Sequence, residues 1–166
     1  MIPNYSALKI ALATGGTYAG MSDAAIVAAC NAATVAASVD IPTQSVVNYL
    51  ALNGFLPTIQ GWARVPPSPP VAGLTAAQAA AAVVAAQTVG LMIGPPPMWP
   101  TLQMSDATTK AQIVGMISAL VTAGLLPQSV GATILAMSAA VVSQASLWGW
   151  EGGIIENDLI AARAMP

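Results

Sequence analysis

The stretch SDATTKAQIVGMISALVTAGLLPQSVGATILAMSAAVVSQA, residues 105–145, contains the clearest signals of secondary structure in this chain. Ser105-Asp106 is typical of a helix N-terminus, and Gly124 followed by Pro127 is typical of a Schellman-type helix stop. A partner helix is predicted from about Gln128 to Ala145, and the short link between the two helices predicts an αα-hairpin. Both helices carry apolar residues at helical spacing, which are Ile113, Met116, Ile117 and Leu120 in the first and Val130, Ile134, Met137 and Val141 in the second.

Capping and stop signals predict further short helices outside this hairpin. Each predicted helix follows a residue whose side chain can accept a hydrogen bond from the first turn, or a proline that the first turn tolerates. Thr75 and Gln78 have the spacing of a capping box. The predicted helices are Asn4 or Tyr5 to Ala13, Ala24–Ala33, Thr43–Asn53, Thr58–Arg64, an Ala-rich helix from Thr75 to about Thr88, and Leu159–Ala164.

Two proline runs, Pro66–Pro70 and Pro95–Pro100, separate these helices and favour stiff polyproline II connectors. They predict an N-terminal short-helix unit at 1–65, a proline-flanked Ala-rich helix with linkers at 66–104, and an αα-hairpin with a capping helix at 105–166. We expect the three parts to form one compact domain. The fold class predicted is all-α, a small bundle of short helices with proline-rich connectors. Thr34–Ile41 is rich in β-branched residues and is predicted to be either an extended connector or a short strand. A minor β-hairpin or an extended arm therefore stays open as an addition to the helical fold.

Charged side chains are scarce along the whole chain. There are 4 Lys+Arg, 6 Asp+Glu and no His, so 6% of the residues are charged, against about a quarter in an ordinary soluble domain. None lies between Arg64 and Asp106 or between Lys110 and Glu151. So few cations cannot replace the counterions of a phosphate backbone, which argues against a nucleic-acid partner. We expect neighbouring molecules to cover much of this neutral surface.

No catalytic, cofactor-binding or metal-ligating residues are predicted. Without histidine, imidazole metal sites and histidine-dependent triads cannot form. The carboxylates of Glu151, Glu156 and Asp158 are close in sequence but lack EF-hand spacing. Cys30 has no cationic neighbour in sequence and is expected to be a packed thiol. We therefore expect a chain that is not an enzyme and takes no small-molecule substrate.

Two apolar stretches raise the alternative of membrane insertion. They are Val71–Gly94, which is mostly alanine, and Gln112–Trp150, which Gly124 and Pro127 interrupt. Neither has a flanking cluster of Lys and Arg that would set its topology. A membrane location is therefore disfavoured, and expression without detergent would separate the two classes.

Large aromatic residues are predicted at helix ends and in loops instead of at mid-helix positions. Such residues are enriched in protein interfaces, although they can also close the ends of a helical bundle. An interface role for Trp148 and Trp150 predicts that alanine at either position weakens assembly without unfolding the helices. The interface candidates are Phe55, Trp62, Trp99, Trp148 and Trp150.

Several blocks of the sequence resemble a group of small, largely uncharacterised structural proteins of tailed bacteriophages. They are helix-and-cap patterns that cover about half of the chain, and they comprise Asn4–Lys9, Met21–Ala25, Asn31-Ala32, Ser143–Gly149 and Asp158–Arg163. The resemblance implies a structural or assembly role in the virion and brings no catalytic residues with it.

Composition and resemblance together predict a non-enzymatic virion subunit that is made in the host cytoplasm. A capsid decoration or cement protein is expected, which docks on the shell through apolar surfaces. A tail or neck component is the nearest alternative, and a small membrane protein of the lysis type is the competing class. The expected partners are other virion structural proteins and further copies of this chain.

Overall fold

A computed structural model describes residues 2–68, 71–92 and 99–166 of the chain. Side-chain caps begin many of its helices where the sequence predicts them. Asn4, Ser22 and Asp106 each accept a hydrogen bond from a first-turn backbone amide. In order, the elements are α1 Tyr5–Leu12, α2 Asp23–Asn31, β1 Ala33–Ser38, β2 Ile41–Pro42, α3 Thr43–Leu52, α4 Leu56–Arg64, α5 Ala76–Met92, β3 Thr101–Leu102, α6 Ala107–Thr122, α7 Gln128–Ala136, β4 Ala139–Ser143, α8 Gln144–Leu147 and α9 Glu156–Ala164.

The predominance of helix is confirmed, but the described residues are not purely α-helical. They contain two two-stranded sheets, β1 with β4 and β2 with β3. In the second sheet the strands run antiparallel, with Ile41 opposite Leu102 and Pro42 opposite Thr101. Neither sheet is a β-hairpin, since the paired strands lie far apart in the sequence. Most of the Thr34–Ile41 segment lies in β1, so the short-strand alternative predicted for it is the one the structure has.

The predicted turn and capping signals at the centre of the chain are confirmed. Gly124 has a φ of 71°, and its amide donates to the carbonyl of Val121 while the Leu125 amide donates to Leu120, both at 2.9 Å. Thr75 and Gln78 exchange the two bonds of a capping box, with the Thr75 amide 2.9 Å from Gln78 Oε1. These hydrogen bonds join residues that are close in sequence, which is why the sequence alone can predict them.

The length predicted for the second helix of the hairpin is wrong. α7 ends at Ala136 instead of Ala145, and residues 139–143 form β4. The Ser138 hydroxyl donates to the Leu135 carbonyl at 2.8 Å where the helix ends. Val141 and Val142 are β-branched and favour an extended backbone. Pairing with β1 completes the strand, and no local pattern of residues reports that pairing.

The last helix begins earlier than Leu159, the predicted start. α9 begins at Glu156, because Asp158 Oδ2 accepts the Ile155 amide at 2.9 Å and so satisfies the first turn. At the other end of α9, Arg163 donates to both carboxylate oxygens of Asp23 at 2.6 and 2.9 Å.

The chain divides into two compact units. Unit 1 contains residues 1–37 and 140–166, and unit 2 contains residues 38–139. The predicted boundaries near 65 and 105 do not coincide with these units, because the first and last helices of the chain pack together in unit 1. Pro69, Pro70 and Pro95–Pro97 lie outside the described residues, so each proposed polyproline connector is described only in part.

Each unit has its own apolar core. In unit 1, α1, α2, α8 and α9 enclose Leu8, Ile26, Ile154 and Leu159. In unit 2, α5 packs against α4 and α6, and its alanines 82, 85 and 86 are buried. The small side chains of these alanines permit close approach of the backbones at such contacts. Of the helices in the described ranges, none has both the length and the apolar composition that crossing a bilayer requires.

Candidate functional site

The five predicted interface aromatics do not come together at one site. Phe55, Trp62 and Trp99 belong to unit 2, whereas Trp148 and Trp150 belong to unit 1. Phe55 and Trp62 are half-buried and pack on the core of unit 2. Only Trp99 keeps a large exposed fraction, 45%.

Trp150 is a core residue of unit 1, which corrects its prediction as an interface anchor. Its side chain is 7% exposed, and its ring meets Tyr5 edge to face at a centroid distance of 5.0 Å. An assembly partner could reach almost none of this indole. Trp148 is half-buried and makes an edge-to-face contact with Tyr18 at 6.5 Å, so only part of its ring is available to a partner.

The exposed ring of Trp99 is carried on a well-anchored backbone. The Thr43 hydroxyl donates to the Trp99 carbonyl at 2.5 Å, and the Thr43 amide donates to the Pro100 carbonyl at 3.0 Å. Thr43 itself is buried at the start of α3. The paired strands β2 and β3 lie next to these two hydrogen bonds, since β2 ends at Pro42 and β3 begins at Thr101. The backbone of Trp99 is therefore fixed while its side chain faces solvent.

Trp99 borders a cleft of about 670 Å³ in unit 2. Leu102, Ile113 and Met116 supply apolar walls, and the amides of Gln103 and Gln112 supply hydrogen-bonding groups. Further lining comes from Thr88, Pro100, Thr101 and Thr109, and no residue named in this lining is ionisable. These walls can bury apolar surface and exchange hydrogen bonds with uncharged groups.

An apolar groove between α5 and α6 adjoins this cleft at Met116, which lines both. Val84 forms part of the groove and is 61% exposed, and Leu91, two turns further along α5, is also exposed. Leu91 and Trp99 border one small hollow together. We call this continuous surface the docking face and define it by Val84, Leu91, Trp99, Leu102 and Met116. Sequence patterns identify Trp99 in it but not its helical neighbours, because the Ala-rich helix shows no stripe that separates its exposed side from its buried one.

Ionisable groups are concentrated in unit 1, where several of them make hydrogen bonds or ion pairs within the protein. Burial raises the pKa of Asp158. Hydrogen bonds from the Ile155 amide, the Tyr5 hydroxyl and Trp150 lower this pKa, and together they outweigh burial, so the pKa of Asp158 lies below its usual value. The Tyr5 hydroxyl is 2.9 Å from Asp158 Oδ1. Both oxygens of this carboxylate are thus committed to protein hydrogen bonds. Among the described residues no three His, Cys, Asp or Glu side chains lie close enough together to hold a metal ion.

Cys30 is a packed thiol, as its apolar flanks predict. It is fully buried in unit 1, and burial raises its pKa. The neighbouring Tyr18 hydroxyl makes a hydrogen bond with the thiol, and burial raises the pKa of Tyr18 to about 12. Both groups are protonated at neutral pH.

We expect the stability of unit 1 to fall in acid, and we expect Asp158 to contribute to that fall. A carboxyl whose folded pKa is lowered stabilises the fold above its unfolded pKa and loses that contribution as the pH drops through the folded value. The window therefore opens below about pH 4. The measurement is the thermal midpoint at pH 7, 4 and 2 for the wild type and for Asp158→Asn.

The variant should lose less stability than the wild type between pH 7 and pH 2, although it starts from a lower midpoint. Asp23, Asp40 and Asp106 also have lowered pKa values, so a fall common to both proteins will remain. Identical pH profiles for the two proteins would show that Asp158 contributes nothing to the acid response.

No protein-family model, no curated protein and no solved structure matches the chain. Any function must therefore be argued from the residues and from the geometry of the docking face.

Proposed function

We propose that this chain is a non-enzymatic structural subunit of a tailed-phage virion. Within that class we propose a capsid decoration, or cement, protein that docks on the shell through apolar surface. A tail or neck component is the nearest alternative. The resemblance of the cap-and-helix blocks to phage structural proteins supports a location in the virion. The scarcity of charge supports a role that depends on protein contacts.

The exposed Trp99 beside an uncharged cleft is the observation that carries the proposal. A tryptophan held on a fixed backbone loses little conformational freedom on binding, and tryptophan is among the residues most enriched at interface hot spots. Apolar patches on a monomer surface commonly mark sites of protein interaction. The docking face has these properties, and its uncharged lining fits a partner surface that presents apolar and neutral polar groups.

Trp99→Ala is expected to weaken docking by about 2–4 kcal/mol, the range of an interface hot spot. Because the substitution leaves the backbone bonds of residue 99 in place, the variant should fold with the wild-type circular dichroism spectrum and thermal midpoint. The measurement is the copy number of the protein in purified particles, by quantitative mass spectrometry relative to the major shell protein. The particles should lose most of the protein when Trp99 is replaced.

Leu52→Ala is the matched control, since Leu52 is also a highly exposed apolar residue of unit 2 but does not line the docking face. Its copy number should equal that of the wild type. Absence of the wild-type protein from purified particles would overturn the virion assignment. Full occupancy by a folded Trp99→Ala protein would overturn the docking face instead.

A further inference from the structure

The sheet formed by β1 and β4 has two open edges. Within the described part of the chain each of these strands pairs only with the other. The backbone amides and carbonyls on the outer side of each strand therefore have no strand to pair with. A two-stranded sheet is marginally stable alone in water, and further strands stabilise it. The outer edges can accept such a strand.

The β4 edge lacks the features that normally prevent edge-to-edge association. Exposed edges are usually protected by a lysine, a proline or a bulge. Residues 139–143 read AAVVS, and no charged residue occurs from 111 to 150. Val141, at the centre of the strand, is 62% exposed. By contrast, the exposed carboxylate of Asp40 follows β1 closely and accepts hydrogen bonds from Ser105.

We propose that β4 pairs through its outer edge with β4 of a second copy of this chain, in an antiparallel ladder. A second copy is the favoured occupant, because two identical strands in an antiparallel pair are related by a twofold axis and so complement each other without another partner. When all five residues of β4 are paired, that axis passes midway between the central residues of the two strands. Val141 then lies opposite Val141 of the second copy, and Ala139 lies opposite Ser143. This inference does not depend on the proposed virion role.

Sedimentation equilibrium of the purified full chain tests the pairing. The wild type should dimerise with rising concentration, and Val141→Lys should raise the dissociation constant about tenfold, because it places two like charges directly opposite each other. Ile160→Lys is the matched control, because Ile160 has almost the same exposed fraction, 59%, and lies on α9 of the same unit, outside the docking face. This control should dimerise like the wild type.

Mixing Val141→Lys with Val141→Glu tests the twofold register itself. Each variant alone carries like charges at the axis, whereas the mixture places lysine opposite glutamate, so equimolar mixing should restore dimers. Amide hydrogen exchange in residues 139–143 should also slow as the wild-type concentration rises. A wild type that stays monomeric, an Ile160→Lys protein as weakened as Val141→Lys, or a mixture that stays monomeric would each overturn the proposal. A dimer that forms normally while particle occupancy is absent would reject only the virion role.

Discussion

Replacing Trp150 with alanine will lower the free energy of unfolding by about 3–5 kcal/mol, the usual cost of truncating a buried aromatic residue in a core. The indole is enclosed by the unit 1 cluster that includes Leu8, Ile154 and Leu159. The variant also loses the edge-to-face contact with Tyr5, and such pairs contribute about 0.5–1.5 kcal/mol beyond their buried area. A hydrogen bond from Trp150 to Asp158 disappears with the same side chain.

Urea unfolding followed by far-ultraviolet circular dichroism measures this loss. Trp150→Phe should lose less than alanine does, since a ring remains against Tyr5 while the indole N–H is gone. Trp99→Ala is the matched control, because the same substitution at a residue with 45% exposure should cost less than about 1 kcal/mol. Equal losses for the two alanine variants would contradict the placement of Trp150 in the core and would return it to the interface candidates.

The two tryptophans show where sequence reasoning succeeds and where it stops. Trp99 lies next to Pro100 and beyond the end of the Ala-rich helix, and this local setting correctly indicates an exposed ring. Trp150 has a similar local setting, with glycines on both sides in a turn-rich loop. Its burial depends on Tyr5, which lies at the opposite end of the chain. A residue pattern reports local backbone preference, but it does not report which distant element covers a loop.

The same distinction explains the errors in secondary structure. The caps at Asn4, Ser22 and Asp106 are local hydrogen bonds, so the sequence predicts them correctly. The sequence pattern predicts helix at 139–143, where the structure has β4, because Met137 and Val141 continue an apolar helical stripe. The competing factor is pairing with β1, whose residues come about a hundred positions earlier. The two-unit division follows from the same long-range meeting of chain segments, which proline runs cannot indicate.

Scarcity of charge has a different consequence in each unit. In unit 1 most of the described charged groups have a protein partner, as in the pair of Arg163 with Asp23 and the Lys9 ammonium, which donates to the Met165 carbonyl at 2.8 Å. In unit 2 the docking face has no charged lining residue. Exposed ion pairs add little to stability, so unit 1 depends mainly on its apolar core and on partly buried hydrogen bonds. One such set of hydrogen bonds joins α2 to the loop before α9.

Asn31→Ala will remove both of these hydrogen bonds and is expected to cost about 1–3 kcal/mol, since an intramolecular hydrogen bond contributes about 0.5–1.5 kcal/mol net. Asn31 Oδ1 accepts the Ile154 amide at 2.7 Å, and its Nδ2 donates to the Ile154 carbonyl at 2.9 Å. Ile154 is fully buried, and its two hydrogen bonds with the exposed Asn31 are partly buried. Gly153, at a φ of 84°, lets the loop come close to the side-chain amide of Asn31, because a Cβ at position 153 would lie 2.9 Å from Asn31 Oδ1.

Asn53→Ala provides the matched control for this experiment. Its Nδ2 also donates to a backbone carbonyl, that of Tyr49 at 2.8 Å, but at an exposed helix end where water can take its place. The control should therefore lose less than about 1 kcal/mol. Asn31→Asp separates the two bonds, since the carboxylate can still accept the Ile154 amide but cannot donate to the carbonyl; its stability should lie between those of the wild type and of Asn31→Ala. Urea midpoints of all four proteins decide the matter, and an Asn31→Ala loss no larger than that of Asn53→Ala would show that these two bonds do not hold the loop.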